Sequence, residues 1–243
     1  MIKLEEIKHF YRSPEKEMGL MILKEYLQYK ILDWLFSSKW AQKLVFTGGT
    51  AIRIVYGGDR FSEDIDLDTN NLGLDEFGEI VEMIKRNFKR EGIEVESKNV
   101  NKGVMWSYLR FPKIMIENGL SPNENEKLLI QLDMDKIKEW GKTELKIINK
   151  FGVFEEVKIY NKETLIKLKV EALIGRKRPK GRDIYDIVYL VADGKLEKEV
   201  KEKLMIFCND NDLESLAKDV EPFVINKDKL KVVYKFREWV EQN

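Results

Sequence analysis

The sequence predicts an α/β half followed by an α-helical half. Two observations carry this. Short apolar runs, either cut off by glycine or alternating at period two, recur as far as Tyr160. From Lys162 onward apolar residues return at helical spacing instead. The change falls between Asp135 and Asn161, with no internal repeat or low-complexity linker. Residues 1–155 are therefore expected to form an α/β domain and residues 156–243 a helical one.

Residues 18–37 carry apolar side chains at helical spacing and read as one amphipathic helix. Residues 43–47 form a short buried strand, stopped by Gly48-Gly49, and residues 50–56 a short helix, stopped by Gly57-Gly58. Residues 61–68 alternate: Ile65 and Leu67 share one face, and Asp64, Asp66 and Asp68 the other. A helix is expected over 74–91, then strands over 94–97, 104–111, 128–134 and 154–160. In the 128–134 strand Ile130, Leu132 and Met134 face one way, Gln131, Asp133 and Asp135 the other. Helices follow over 165–176, 184–192, 197–207, 212–217 and 227–241.

The chain has 243 residues, enough for one large domain or two small ones. Lys+Arg and Asp+Glu both number 43, so net charge says nothing of a nucleic-acid partner and only a local patch would. No apolar run approaches the ~20 residues of a membrane span. The segment Met1–Glu6 lacks the apolar stretch of a signal peptide, so a cytoplasmic protein is expected. Cys208 is the only cysteine and His9 the only histidine. This excludes an intramolecular disulfide and a cysteine-rich zinc site, and argues against a histidine base. A metal here should be a hard ion bound by oxygen, Mg²⁺ or Mn²⁺.

Three features point to chemistry. Gly48-Gly49 follows a strand and opens a helix, where glycine admits a phosphate close to the backbone and free N–H groups attract it. Asp64 and Asp66 flank Ile65 on a strand face, roughly 7 Å apart at Cα. Such carboxylates repel unless solvated or bridged by a cation, and phosphoryl transfer uses bridging divalent ions. Asp133 stands in the same relation to its own strand and completes a triad if the two strands are neighbours; Asp135 competes with it. Each feature alone has a structural reading: a turn glycine, the solvated face of an edge strand, a surface aspartate. The run Asp64–Asp68 is no EF-hand loop, because Thr69 stands where glycine is needed and Asp75 replaces the bidentate glutamate. Nor is Gly48-Gly49 a P-loop, since no Gly-Lys-Ser/Thr follows.

The segments Phe46-Thr47-Gly48-Gly49-Thr50-Ala51 and Arg60-Phe61-Ser62-Glu63-Asp64-Ile65-Asp66-Leu67 resemble the first motif of the nucleotidyl transferase AbiEii/AbiGii toxin family. Lys169-Val170-Glu171-Ala172-Leu173, Arg176 and Arg182-Asp183-Ile184-Tyr185-Asp186 resemble its later motifs, in order. The resemblance spans about residues 20–190. It implies a polymerase-β-like mixed sheet with flanking helices and a helical C-terminal region that completes the active site. It further implies an enzyme that moves a nucleoside monophosphate from an NTP to an acceptor hydroxyl, in a toxin–antitoxin or abortive-infection setting. RNA, the tRNA end in some members, is the implied acceptor, and a cognate antitoxin an implied partner. The implied roles are triphosphate binding by Gly48, Gly49 and Thr50, with Arg60, Ser62 and Arg176 also on the nucleotide. Asp64 and Asp66 would hold Mg²⁺, with Asp133 as third ligand or general base. Lys169 would contact phosphate, and Asp183 would be a second-half acid, with Arg176 and Arg182 nearby.

Structural readings stand beside these: a solvated helix face for Lys169 and Arg176, and an N-cap of a helix starting at Ile184 for Asp183. The segment from Lys158 to Arg182 is rich in lysine and arginine, so it is suited to track an RNA backbone or to serve only the triphosphate. Its loop residues Lys177, Arg178 and Lys180 are expected to lie beyond the nucleotide site. Trp106, Tyr108 and Phe111 read as core rather than as a base-stacking platform. His9 and Cys208 read as structural. Two other functions compete: a nucleotide-binding or interaction module without catalysis, and transfer to a protein hydroxyl.

Overall fold

A computed structural model describes residues 3–99, 105–192 and 194–243. A short helix, α1 (Leu4–Lys8), precedes a long one, α2 (Gly19–Phe36). The amphipathic helix expected at 18–37 is present but buried almost all round. Leu23, Leu27, Ile31 and Leu35 are enclosed, and so are the polar Lys24, Glu25 and Gln28. Buried polar groups need partners. Glu25 accepts from Arg53 and Lys150, both at 2.7 Å, and from Tyr11 at 2.8 Å.

The α/β part follows as β1 (Leu44–Thr47), α3 (Gly48–Val55), β2 (Ile65–Thr69), α4 (Leu74–Arg90), β3 (Glu96–Asn99) and β4 (Met105–Phe111). It continues through α5 (Ile114–Glu117), β5 (Leu128–Lys136), β6 (Thr143–Lys150) and β7 (Val153–Tyr160). Among the described residues, seven strands form one mixed sheet in the order β3-β4-β5-β2-β1-β7-β6. The pairs β2–β5 and β1–β7 are parallel and the rest antiparallel. Residue 104, where one strand was expected to start, lies outside the described residues.

Two sequence expectations change here. The strand expected over 61–68 begins only at Ile65. The preceding residues are held elsewhere: Phe61 N–H donates to the Phe223 carbonyl at 2.8 Å, and Gln28 donates to the Ser62 carbonyl at 3.0 Å. The second change is β6, an edge strand that the sequence pattern did not announce. Most of its residues are exposed, and its alternating Leu145 and Ile147 face outward, so the alternation marks no buried face. Its turn is Phe151-Gly152, with φ of 58° and 77°. Two positive-φ residues suit a two-residue hairpin, but Phe is a costly first one. Edge-to-face contacts of its ring with Tyr26 at 5.5 Å and Tyr29 at 5.2 Å hold it there. A division at residue 155 falls inside β7.

The rest is helical: α6 (Lys162–Gly175), α7 (Gly181–Val191), α8 (Lys198–Asp210), α9 (Leu213–Val220), α10 (Lys231–Tyr234) and α11 (Phe236–Gln242). The single helix expected over 227–241 is broken at Lys235 and begins as a 3₁₀ turn, Lys227–Leu230. These helices enclose a second core around Leu173, Ile184, Ile187, Leu204, Val233 and Phe236. Gly181 lets α7 touch α9: a Cβ there would lie 1.9 Å from the Leu216 carbonyl oxygen. Gly181→Ala should force the helices apart and cost about 1–3 kcal/mol. An unchanged denaturation midpoint in this variant would contradict the packing described.

Candidate active site

Three neighbouring strands set the site. Thr47 on β1 pairs with Asp66 on β2, and Asp66 pairs with Asp133 on β5. The condition attached to the triad, adjacent strands, is therefore met in register. Residues opposite one another point to the same side of a sheet, so Asp66 and Asp133 share a face. Asp64 follows at period two, just before β2 begins.

The chain then turns into α3 at Gly48, whose φ is 75°. A Cβ on Gly48 would stand 1.9 Å from an Asp66 carboxylate oxygen. Both conditions require glycine. A Cβ on Gly49 would meet Arg60 Nη2 at 2.5 Å and Ser62 Oγ at 2.9 Å. The two glycines thus let Asp66, Arg60 and Ser62 approach the helix start. Thr50 is buried behind them and donates its hydroxyl to the Asp64 carbonyl.

A pocket of about 220 Å³ opens at this point. It gathers Gly49, Arg60, Ser62, Asp64, Asp66, Asp133, Lys169, Arg176, Asp183 and its neighbour Arg182 from the sequence candidates and adds Gln131 and Lys180. Gly48 and Thr50 are not in its lining. Asp135 lies one pleat away, exposed, in register with Asp68, and does not line the pocket. Asp68 is buried and accepts from the Tyr160 hydroxyl at 2.6 Å. Gln131 was legible in principle, because it stands two residues before Asp133 on the same strand face. Lys180 belongs to the loop expected beyond the nucleotide site; the fold returns it to the pocket.

The carboxylates are under electrostatic stress. Burial, and then the charges of Asp64, Asp133 and Asp135, push Asp66 up to about 7 against the pull of Lys169. Burial and Glu63 raise Asp64, opposed by Lys24, Arg182 and Lys180. Burial raises Asp133, opposed by a 2.7 Å hydrogen bond from Gln131. A hard cation would relieve all three, so the donor set fits Mg²⁺ or Mn²⁺. Among the described residues, no three acidic, histidine or cysteine side chains converge into a ready-made metal site. The three carboxylates line one pocket without meeting at one point.

The second half closes the pocket through a buried ion network. Arg60 forms two parallel bonds to Asp186, at 2.7 and 2.6 Å, and a third to the Phe61 carbonyl at 3.0 Å. Lys169 Nζ lies 2.9 Å from Asp183 and 2.8 Å from Asp186. Arg176 also pairs with Asp183. Lys169 is therefore not on a solvated helix face: its ammonium is buried between two carboxylates. Asp183 is not an N-cap either, because α7 starts at Gly181 and the aspartate sits in its first turn.

The basic run does not fold into one continuous patch. Lys158 donates to the Gln42 carbonyl at 2.9 Å and lies over the Trp140 ring. Lys167 pairs with Glu163 and Glu197. Arg176, Lys180 and Arg182 line the pocket, while Lys177 and Arg178 are exposed on the loop between them.

Comparison with known proteins places the chain in a family and a fold. Residues 30–231 match the family described as nucleotidyl transferase AbiEii toxin, Type IV TA system. The chain is similar in structure to MenT4, a nucleotidyltransferase toxin of Mycobacterium tuberculosis H37Rv. That likeness has a TM-score of 0.64 at 14% identity and covers 100% of this chain and 91% of the other. It is also similar to JHP933 from Helicobacter pylori, with a TM-score of 0.56 at 19% identity, covering 91% and 94%. A putative nucleotidyltransferase from H. pylori gives 0.52 at 18% identity, covering 91% and 96%. At these identities the likenesses concern the fold. A comparison with curated proteins found no match. With most of its length matched, through the glycine turn, the carboxylate strands and the basic helices beyond them, the chain belongs to the AbiEii nucleotidyl transferase toxin family and is a nucleotidyltransferase.

Proposed function

We propose that the protein moves a nucleoside monophosphate from an NTP to a hydroxyl of an RNA acceptor, using Mg²⁺ or Mn²⁺. The observation that carries this is the pairing of Asp66 with Asp133 beside the Gly48–Gly49 helix start, in a pocket whose other wall is cationic. Asp64, Asp66 and Asp133 would hold the metal. When bound, it neutralises the phosphates and makes the acceptor hydroxyl easier to deprotonate.

The chain's own groups have separable tasks in this reading. The N–H groups at the start of α3, where the buried Gly49 borders the pocket, receive the triphosphate. Lys180 and Arg182 balance its charge at the pocket wall. Lys169 and Arg60 border the pocket and are anchored in the ion network: they fix Asp183 and Asp186, and the Lys169 charge faces Asp66. Asp133 is the third ligand or the base that accepts the hydroxyl proton. The acceptor oxygen bonds to the α-phosphorus as the α–β bridging bond breaks and pyrophosphate leaves.

The toxin role follows from the family, as does a cognate antitoxin. No described helix is long and apolar enough to cross a membrane; we place the activity in the cytoplasm. The test is incubation with each labelled NTP, Mg²⁺ and total RNA. Label should pass to RNA, and an NTP with Mg²⁺ should raise the Tm through linkage. Label on a polypeptide would mean a protein acceptor. No Tm shift and no transfer with any divalent ion would leave a binding module.

A further inference from the structure

The sheet row that holds the carboxylates continues onto β4. Thr47, Asp66, Asp133 and Trp106 stand opposite one another across β1, β2, β5 and β4. Tyr108, the next outward residue, pairs with Gln131. The inward residues of β4, among them Leu109 and Phe111, fill the core. Phe111 is thus core as expected, but Trp106 and Tyr108 are not. They are half-buried on the catalytic face, their rings edge to face at a centroid distance of 4.8 Å. A large aromatic side chain left partly open to water beside a row of carboxylates calls for a partner.

We propose that Trp106 and Tyr108 form a stacking platform for an unpaired nucleobase of the acceptor strand. The inference rests on the transfer reading above. Strand order tells the acceptor from the donor. The phosphate cradle, Gly48–Gly49, follows β1 and lies on one flank of the Asp66–Asp133 pair. The aromatic pair lies on the opposite flank, on β4. A base stacked there belongs to the strand that approaches the carboxylates across from the triphosphate. Stacking on aromatic rings tolerates any base, because each has a π-face, and it requires that the nucleotide be unpaired. Lys98, exposed and in register with Tyr108, supplies a positive charge for the strand's phosphate.

The test is binding of a labelled, unstructured oligoribonucleotide of about ten nucleotides to the full-length protein, followed by anisotropy without NTP. Trp106→Ala should weaken binding by about fivefold to a hundredfold. Trp106→Phe should restore most of it, and Tyr108→Ala should fall between. All three should keep the NTP-dependent rise in Tm, which also shows that they are folded. Equal affinity in wild type and Trp106→Ala overturns the platform. Loss of the NTP effect in Trp106→Ala, with oligonucleotide binding intact, overturns it too and assigns the rings to the donor base. Failure of folded wild type to bind the oligonucleotide overturns it in favour of a non-nucleic-acid acceptor. The transfer reading fails separately, through absent label transfer and absent NTP stabilisation.

Discussion

Asp66→Asn is expected to lower nucleotidyl transfer by roughly a thousandfold or more while making the metal-free protein more stable at neutral pH. The carboxyl of Asp66 is held at about 7 by burial and by Asp64, Asp133 and Asp135. Its unfolded value is about 4. A raised carboxyl binds its proton more tightly in the folded state. Its favourable contribution is therefore full below about pH 4 and is lost as pH rises through about 7. The loss is on the order of 4 kcal/mol, so the metal-free protein should unfold more easily at pH 8 than at pH 5. Asparagine imitates the protonated acid and should flatten that slope. Mg²⁺ should stabilise wild type at pH 8 and leave the variant unmoved. Denaturation midpoints at several pH values, with and without Mg²⁺, decide the matter. A variant less stable than wild type at pH 8 without metal would show that Asp66 is structural.

The second large effect concerns Asp186, which the pocket lining does not include. Asp186→Ala should cost about 3–5 kcal/mol. It would remove both bonds from Arg60 and one from Lys169, leaving two buried cations short of partners. Burial and the charges of these two cations act in opposite directions on the Asp186 carboxyl. The cations win, holding it below the usual range. For a chain of this size the Tm should fall on the order of 10 °C. Asp186→Asn, which keeps the shape but not the charge, should fall by less. Calorimetry on the three proteins would measure this, and a change under 2 °C in Asp186→Ala (~1 kcal/mol or less) would dismiss the network as a stabilising element.

The local devices of the site were legible in the sequence. Gly48 and Gly49 mark a turn that only glycine can make, and alternation around Ile65 and Ile130 places Asp66 and Asp133 on polar strand faces. The alternation needs no tertiary information, because period two follows from the strand backbone itself. The strand β6 was not legible for the opposite reason: it is mostly exposed, so no burial pattern is imposed on it. Trp106 and Tyr108 misled because aromatic side chains are usually core, and a sequence does not say which face of a strand a second layer covers.

What the sequence determined alone is the set of chemical groups and their spacing along each element. What the tertiary structure decided is which groups meet. The register of β2 against β5, residues far apart in the chain, joined Asp66 to Asp133 and left Asp135 beside Asp68. The packing of α7 against the α/β half brought Asp186 to Arg60 and tied a pocket-lining motif arginine into a buried ion pair. The same packing returned Lys180 to the pocket beside Arg176 and Arg182 and scattered the rest of the basic run. The physical reason is the same in each case. Spacing fixes the face on which a side chain emerges, whereas its partner is set by burial of apolar surface shared between distant elements.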